Sequence, residues 1–295
     1  SPMIGPLPAS FIEGVVRERG DAGQTWLDRL PAMLIETLDR WLLQLEEGVW
    51  HGYLGLVFPV RKRCGQAAAL KLTWVDQDTR WEAQALERWS GRGAVRLLRA
   101  DQERGILLLE RLHSERSLDR VELESATRIA ARLLRRLAVE VGPDWDCMER
   151  EVRELETRAR QRWALLGQPF PSEWLDVPDM ISRDCLVNHD LHFGNVLSGQ
   201  REDWLVIDPK VLRGELEFGV APLLWNRTSE GQLSQRLDWI VEEAALDRKR
   251  ALQWIRFRSV EYWLWALEKG LDDVPQELAL WATRELEVQA HPPLR

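Results

Sequence analysis

The spacing of apolar residues changes repeatedly along the first half of the chain. Trp26, Leu27 and Leu30, then Leu34, Ile35, Leu38, Trp41, Leu42 and Leu45, recur at three and four positions, which predicts a helical lead-in. From residue 49 the pattern tightens. Residues 49–60 read as a hairpin, 61–65 as a basic turn and 67–74 as a third strand. Residues 79–89 return to the helical period with Ala85, Leu86 and Trp89 on the packing face, and Ser90-Gly91-Arg92-Gly93 ends that helix. Residues 94–98 and 105–110 add two strands around a turn at 101–104. Residues 1–112 are therefore expected to form a small lobe: a helical lead-in, a five-stranded antiparallel sheet and one helix.

Residues 113–295 read differently. The stretch 113–180 is expected to be helical, with long amphipathic patterns at 121–141 and 145–166 split by Gly142-Pro143-Asp144. Three more helical patterns cover 239–246, 249–269 and 275–288. Between these groups lie two short apolar strands, Leu186-Val187-Asn188 and Trp204-Leu205-Val206-Ile207. The fold class expected is α+β and bilobal, a small antiparallel sheet lobe followed by a larger, mainly helical one.

Each of those two strands delivers a carboxylate to a loop. Asp190 follows the first, Asn195 comes five positions later, and Asp208 follows the second strand. Phosphoryl transfer needs a carboxylate to accept the proton of the attacking hydroxyl, and an Asn with a second carboxylate to hold Mg²⁺ on the phosphates. Asp190, Asn195 and Asp208 fit those roles in order. A surface turn would account for the Asp-x-x-x-x-Asn spacing alone, and His189 with His192 raises a metal site, but no further His or Cys lies close in sequence to complete a tetrahedral set. Lys71 is a single cation in the apolar strand Ala69-Leu70-Lys71-Leu72, as a phosphate-holding lysine would be; a lysine protecting a sheet edge is the alternative. Glu82 on the following helix is the expected partner of Lys71, with Glu87 as a second choice. Gly52 and Gly55 fall where a sheet closes over phosphates, although two glycines in a hairpin are ordinarily turn residues. Glu110 and Leu112 lie where the last strand leaves the lobe, the place where main-chain groups hold adenine.

Composition narrows the partners. The 295 residues carry a net charge of −8, which argues against a nucleic-acid groove and favours cationic small molecules. Three cysteines without a Cys-x-x-Cys pair indicate neither a disulfide framework nor zinc, so a reducing cytoplasm is the expected compartment. No apolar run is long enough to span a membrane and no signal peptide is read at the start. The 16 tryptophans fall mostly in helical patterns and read first as core or groove walls.

The chain resembles the aminoglycoside phosphotransferase-like kinases and, within them, the aminoglycoside/hydroxyurea antibiotic resistance kinase family. The resemblance runs from about residue 24 to residue 270. It is carried by Gly52-Tyr53-Leu54-Gly55-Leu56-Val57-Phe58-Pro59-Val60, Ala68-Ala69-Leu70-Lys71, Glu82-Ala83-Gln84-Ala85-Leu86, Gly93-Ala94-Val95-Arg96-Leu97-Leu98, Leu107-Leu108-Leu109-Glu110-Arg111-Leu112, His189-Asp190-Leu191-His192-Phe193-Gly194-Asn195-Val196-Leu197 and Trp204-Leu205-Val206-Ile207-Asp208-Pro209-Lys210. It implies a bilobal protein-kinase-like fold, ATP or another nucleoside triphosphate as donor, Mg²⁺, and a small antibiotic as acceptor. By position it makes Asp190 the base, Asn195 and Asp208 the metal ligands, and Lys71 with Glu82 the phosphate-holding pair. Two departures stand out: Asn188 occupies the place of the family's usual His, and the 214–219 segment lacks the usual Gly-Asp-Pro opening.

The function expected is phosphorylation of an aminoglycoside hydroxyl, streptomycin first, by a monomeric enzyme. Hydroxyurea or a metabolite as acceptor, and a nucleotide-binding module without turnover, are the rivals. The acceptor would meet Glu215 and Glu217 and one face of the later helix, where Glu261, Trp265 and Glu268 recur at helical spacing and would set two carboxylates around an indole.

Overall fold

The first helix ends where its apolar period misleads. In the computed structural model, which describes residues 5–52, 54–228, 232–271, 275–291 and 294, helix α1 (Ala9–Arg40) is kinked at Gly20. Leu42 then takes a left-handed φ of 53° with its side chain in solvent. Leu43–Leu45 leaves as strand β1, with its two leucines half-buried and Gln44 exposed. Leucines two apart satisfy a strand as well as a helix, so the expected helix overran into β1. The sheet consequently has six strands among the described residues, not five: β1, β2 (Trp50–His51), β3 (Gly55–Lys62), β4 (Ala67–Thr73), β5 (Leu97–Asp101) and β6 (Ile106–Glu110), in the order β1-β3-β4-β6-β5 with β2 on β3. Tyr53 of the expected hairpin lies outside the described residues.

The period of two sorts the faces of this sheet. Leu56, Phe58 and Val60 on β3, Ala68, Leu70 and Leu72 on β4, and Ile106 and Leu108 on β6 form one cluster with Phe11, Val15, Leu27, Leu30, Leu34 and Leu38 of α1. Lys71 lies between Leu70 and Leu72 and so belongs to the opposite face, where helix α2 (Glu82–Trp89) supplies its partner. These elements form one compact unit, Ser1–His113 together with Gly199–Arg201.

The second unit comprises Ser114–Ser198 and Glu202–Arg295. It begins in strand β7 (His113–Ser117), continues through α3 (Leu123–Arg136) and α4 (Met148–Leu165), and then reaches β8 (Cys185–Asn188), β9 (Val196–Ser198), β10 (Leu205–Val206) and β11 (Val211–Gly214). Strands β10, β9 and β7 form one small sheet, and β11 pairs antiparallel with β8. The expectation that 113–180 is helical throughout is thus corrected. β7 finds its partner about eighty residues later in sequence, and residues 137–147 end α3 early, with Glu140 bridging to Cys185. Neither pairing leaves a trace in local periodicity. Helices α5 (Ala221–Trp225), α6 (Leu233–Ala244), α7 (Arg248–Glu268) and α8 (Gln276–Ala290) complete the unit. α5 was not anticipated, and α6 starts six residues before the expected pattern. Asp247 caps α7 by accepting the N–H of Arg250 at 3.1 Å.

Candidate active site

In the first unit Lys71 and Glu82 form a buried bidentate pair, 6% and 4% exposed. Lys71 donates to Glu82 Oε2 at 2.9 Å and to Oε1 as well. The lysine points across the sheet face toward β3, where Gly55 makes room for it: a Cβ there would stand 3.5 Å from Lys71 Cε and 3.3 Å from Thr73 Oγ1. Burying two charges is tolerated because each satisfies the other. Glu87, the second choice as partner, is exposed on the far side of α2. Glu110 is engaged internally, accepting the Arg96 N–H at 2.8 Å and the guanidinium of Arg201 at 2.6 Å. Arg201 also donates to the carbonyls of Gly91 and Ala94. Gly91, with φ of 78°, permits this approach, since a Cβ would sit 3.3 Å from the guanidinium. Leu112 is half-buried just past β6.

In the second unit the loop after β8 is organised by Asn188. Its side chain is 1% exposed, and its Oδ1 accepts the backbone N–H of Asp190 at 3.2 Å and of Lys210 at 3.3 Å. The residue that replaces the family's usual His therefore ties the two carboxylate-bearing loops together through one amide oxygen. His189 N–H donates to the Lys210 carbonyl at 2.8 Å, reinforcing the tie. Asn195, also buried, donates its Nδ2 to the Asp190 carbonyl at 3.0 Å, which leaves its amide oxygen as the group to offer a ligand. Asp208 holds a left-handed φ of 49°, a conformation that Asp tolerates better than most residues and that recurs at functional loops. Asp190 keeps its carboxylate partly in solvent, with Lys210 Nζ 3.9 Å from Oδ2.

The two histidines are engaged within the loop and its surroundings. His192 Nδ1 accepts the Gly194 N–H at 3.2 Å. Burial, followed by the positive charges of Arg258 and Lys210, pushes the His189 imidazole well below its ordinary value, so it is neutral. Among the described residues no group of three His, Cys, Asp or Glu side chains is placed to hold a metal by itself. An Asn oxygen with one carboxylate is a hard, oxygen-only donor set. It suits Mg²⁺, which keeps few protein ligands and completes its shell with waters and phosphates.

The acceptor residues expected from sequence are redistributed. Glu215 is buried and fully engaged: Arg250 donates to both of its oxygens at 2.9 and 2.7 Å, and Trp254 Nε1 donates as well. Its carboxylate is thereby engaged with α7. Glu217 keeps Oε2 buried without a hydrogen-bond partner, and burial raises its pKa. Glu268 and Glu261 turn to Arg162 of α4, at 2.9 and 4.0 Å. Trp265 lies against Tyr262, with ring centres 5.5 Å apart and planes tilted by 36°. Arg258 was not singled out from sequence. It donates to the carbonyls of His189 and Phe218, both at 2.9 Å, and no motif could announce a contact made across seventy residues.

A family model described as aminoglycoside/hydroxyurea antibiotic resistance kinase matches residues 40–270. The chain belongs to that family. Hydroxyurea phosphotransferase of Kitasatospora aureofaciens is 37% identical to it over 289 residues, covering 92% of this chain and 83% of that protein. Streptomycin 6-kinase of Streptomyces griseus is 34% identical over 305 residues, covering 93% and 95%. In structure the chain is similar to a choline/ethanolamine kinase family protein from Mesorhizobium loti, with a TM-score of 0.55 at 14% identity over 91% of this chain and 96% of that one. The α+β, kinase-like fold that the resemblance implied is the fold observed, and this family member is a phosphotransferase.

Proposed function

We propose that this enzyme transfers the γ-phosphoryl group of ATP to a hydroxyl of an aminoglycoside antibiotic, streptomycin in the first instance, and thereby confers resistance. The observation that carries the reading is the Asn188 tie, which holds the loops bearing Asp190 and Asp208 in one arrangement while Asn195 braces the Asp190 carbonyl. In this reading Asp190 orients the acceptor hydroxyl and takes its proton as the hydroxyl oxygen bonds to the γ-phosphorus and the bond from that phosphorus to the bridging oxygen breaks, releasing ADP. Lys71, held by Glu82, binds the phosphate oxygens of the donor, and the main chain from Glu110 to Leu112 meets its base. Asn195 and Asp208 hold Mg²⁺. The ion, when bound, neutralises charge on the phosphates. Positioning and fixed charge, not covalent chemistry, supply the rate enhancement.

The N-terminal lobe, residues 1–112, would thus carry the nucleotide-holding groups and residues 113–295 the base, the metal ligands and the acceptor contacts. We place the enzyme in the cytoplasm as a monomer, where its free thiols at Cys64, Cys147 and Cys185 suit a reducing medium. No described helix is long and apolar enough to cross a membrane. Hydroxyurea is the second reading, favoured by the 37% identity to a hydroxyurea phosphotransferase.

The deciding experiment is ATP consumption with aminoglycosides, hydroxyurea and small alcohols, run on the parent and on Asp190→Asn. Turnover with streptomycin that falls by about 10²–10⁴-fold in the variant, with Mg²⁺–ATP still raising the melting temperature, is the expected result. Turnover with hydroxyurea alone would move the assignment to the second reading. Equal loss of nucleotide affinity in Asp190→Asn would remove Asp190 from the role of base.

A further inference from the structure

One face of α7 carries Arg258, Tyr262 and Trp265, four and then three positions apart, and it meets Trp225 at the end of α5. The inner end of this row is fastened to the catalytic loop twice. Arg258 donates to the carbonyl of His189, the residue before Asp190, and Asn226, next to Trp225, accepts the N–H of Phe193 at 3.3 Å. From there the rings follow one another in contact. Trp225 and Tyr262 have centres 5.4 Å apart with planes 30° from parallel, and Tyr262 and Trp265 are 5.5 Å apart at 36°. All three rings are half-buried, unlike Trp254 and Trp263, which are sealed in the core.

The row already holds a flat cation. The Arg258 guanidinium lies 4.7 Å from the centre of Phe218 and 5.2 Å from that of Trp225. The carboxylates of α7 next to Trp265 are directed to Arg162, so recognition of positive charge on this side falls to the ring faces. We propose that Trp225, Tyr262 and Trp265 form the platform for the acceptor, taking a delocalised planar cation, a guanidinium group, against the outer rings as Arg258 lies against the inner one. The proposal rests on the kinase reading and narrows it: the platform favours a guanidinium-bearing acceptor over a neutral one. Stacking fixes the acceptor's plane, and the distance along the row sets which hydroxyl arrives at Asp190.

The test uses the full chain and the variants Trp265→Ala, Trp265→Phe and Tyr262→Leu. Steady-state kinetics are measured with streptomycin, which carries guanidinium groups, and with neutral hydroxyurea, and streptomycin binding is measured by calorimetry without nucleotide. Trp265→Ala is expected to raise the KM for streptomycin and weaken its binding by about 5–30-fold, with the KM for ATP unmoved and Trp265→Phe restoring most of the loss. Hydroxyurea kinetics should change less than about twofold. Streptomycin binding by Trp265→Ala and Tyr262→Leu as tight as by the parent overturns the platform, and so does an equal loss for hydroxyurea. If no acceptor is turned over at all, the kinase reading fails on its own, and calorimetry still decides the platform: binding lost in Trp265→Ala supports it, while unchanged or absent binding overturns it.

Discussion

Two buried ion pairs in this chain look alike and differ in what surrounds them. Lys71–Glu82 in the first unit and Arg250–Glu215 in the second each bury a carboxylate to 4% exposure against a bidentate cation. The surroundings separate them. Glu215 receives a third donor, the indole N–H of fully buried Trp254, and Arg250 also donates to the Asp179 carbonyl at 2.8 Å, so this pair stitches the 214–219 segment to α7. Lys71 stands instead on a strand face across from a glycine that keeps space beside it, with its partner on a single helix. A buried ion pair by itself is weak evidence for stability and none for function. The contacts beyond the pair decide what it does.

That contrast can be broken by replacing each pair with apolar residues of similar volume. Lys71→Met combined with Glu82→Leu is expected to melt close to the parent, since such exchanges are often neutral or stabilising. On the proposed role of Lys71 it should lose phosphoryl transfer by about 10²–10³-fold, because the phosphates would lose a fixed cation. Retained turnover in this double variant, measured with Mg²⁺–ATP and the best acceptor, would end the distinction from its active side. The next largest effect is on the other pair. Glu215→Leu combined with Arg250→Met leaves the Trp254 N–H buried without an acceptor, which costs about 1–3 kcal/mol and should show as a lower denaturation midpoint. Below that midpoint the turnover number should stay within a few-fold of the parent. A variant as stable as the parent would show that the third donor adds nothing.

What could be read ahead of the structure follows from how far apart the partners are. Lys71 stood out because it is the single cation in an otherwise apolar strand. Asp190, Asn195 and Asp208 stood out because one loop and the next strand hold all three within a short window. The Glu215–Arg250 pair was not legible because the partner lies thirty-five residues on, on a helix whose own pattern mixes tryptophan and arginine on every side. Longer separations, sixty-nine and ninety-one residues, hid the Arg258–His189 and Arg201–Glu110 contacts. β1 and β7 were lost for a related reason: three leucines continue a helical count until Leu42 turns, and five polar residues become a strand only through a distant neighbour. Even Asn188, visible as a departure, revealed its purpose only through two backbone donors, Asp190 and Lys210, the second of them twenty-two positions from Asn188.

Glu217 gives the smallest and most diagnostic effect, because it lies two residues from Glu215 and shows what a carboxylate does there without the third donor or the bidentate arginine. Its Oε2 is buried with no hydrogen-bond partner. Burial is the main cause that raises its pKa from the ordinary 4.5, and the negative charges of Glu215 and Asp247 add to it, against its own backbone hydrogen bond and Arg250. A folded-state pKa above the unfolded one means that the native protein binds this proton more tightly. Its penalty is therefore absent below about pH 4.5 and grows as the pH rises through the folded-state value. Glu217→Gln removes the charge and should raise the melting temperature near pH 7.5 by about 1–3 °C, with the difference from the parent shrinking toward pH 4.5. A cationic acceptor seated beside Glu217 would favour the ionised form, so saturating streptomycin should narrow the same gap. A difference that is constant across pH would mean that Glu217 gains a partner in solution and that the contrast with Glu215 is one of packing alone.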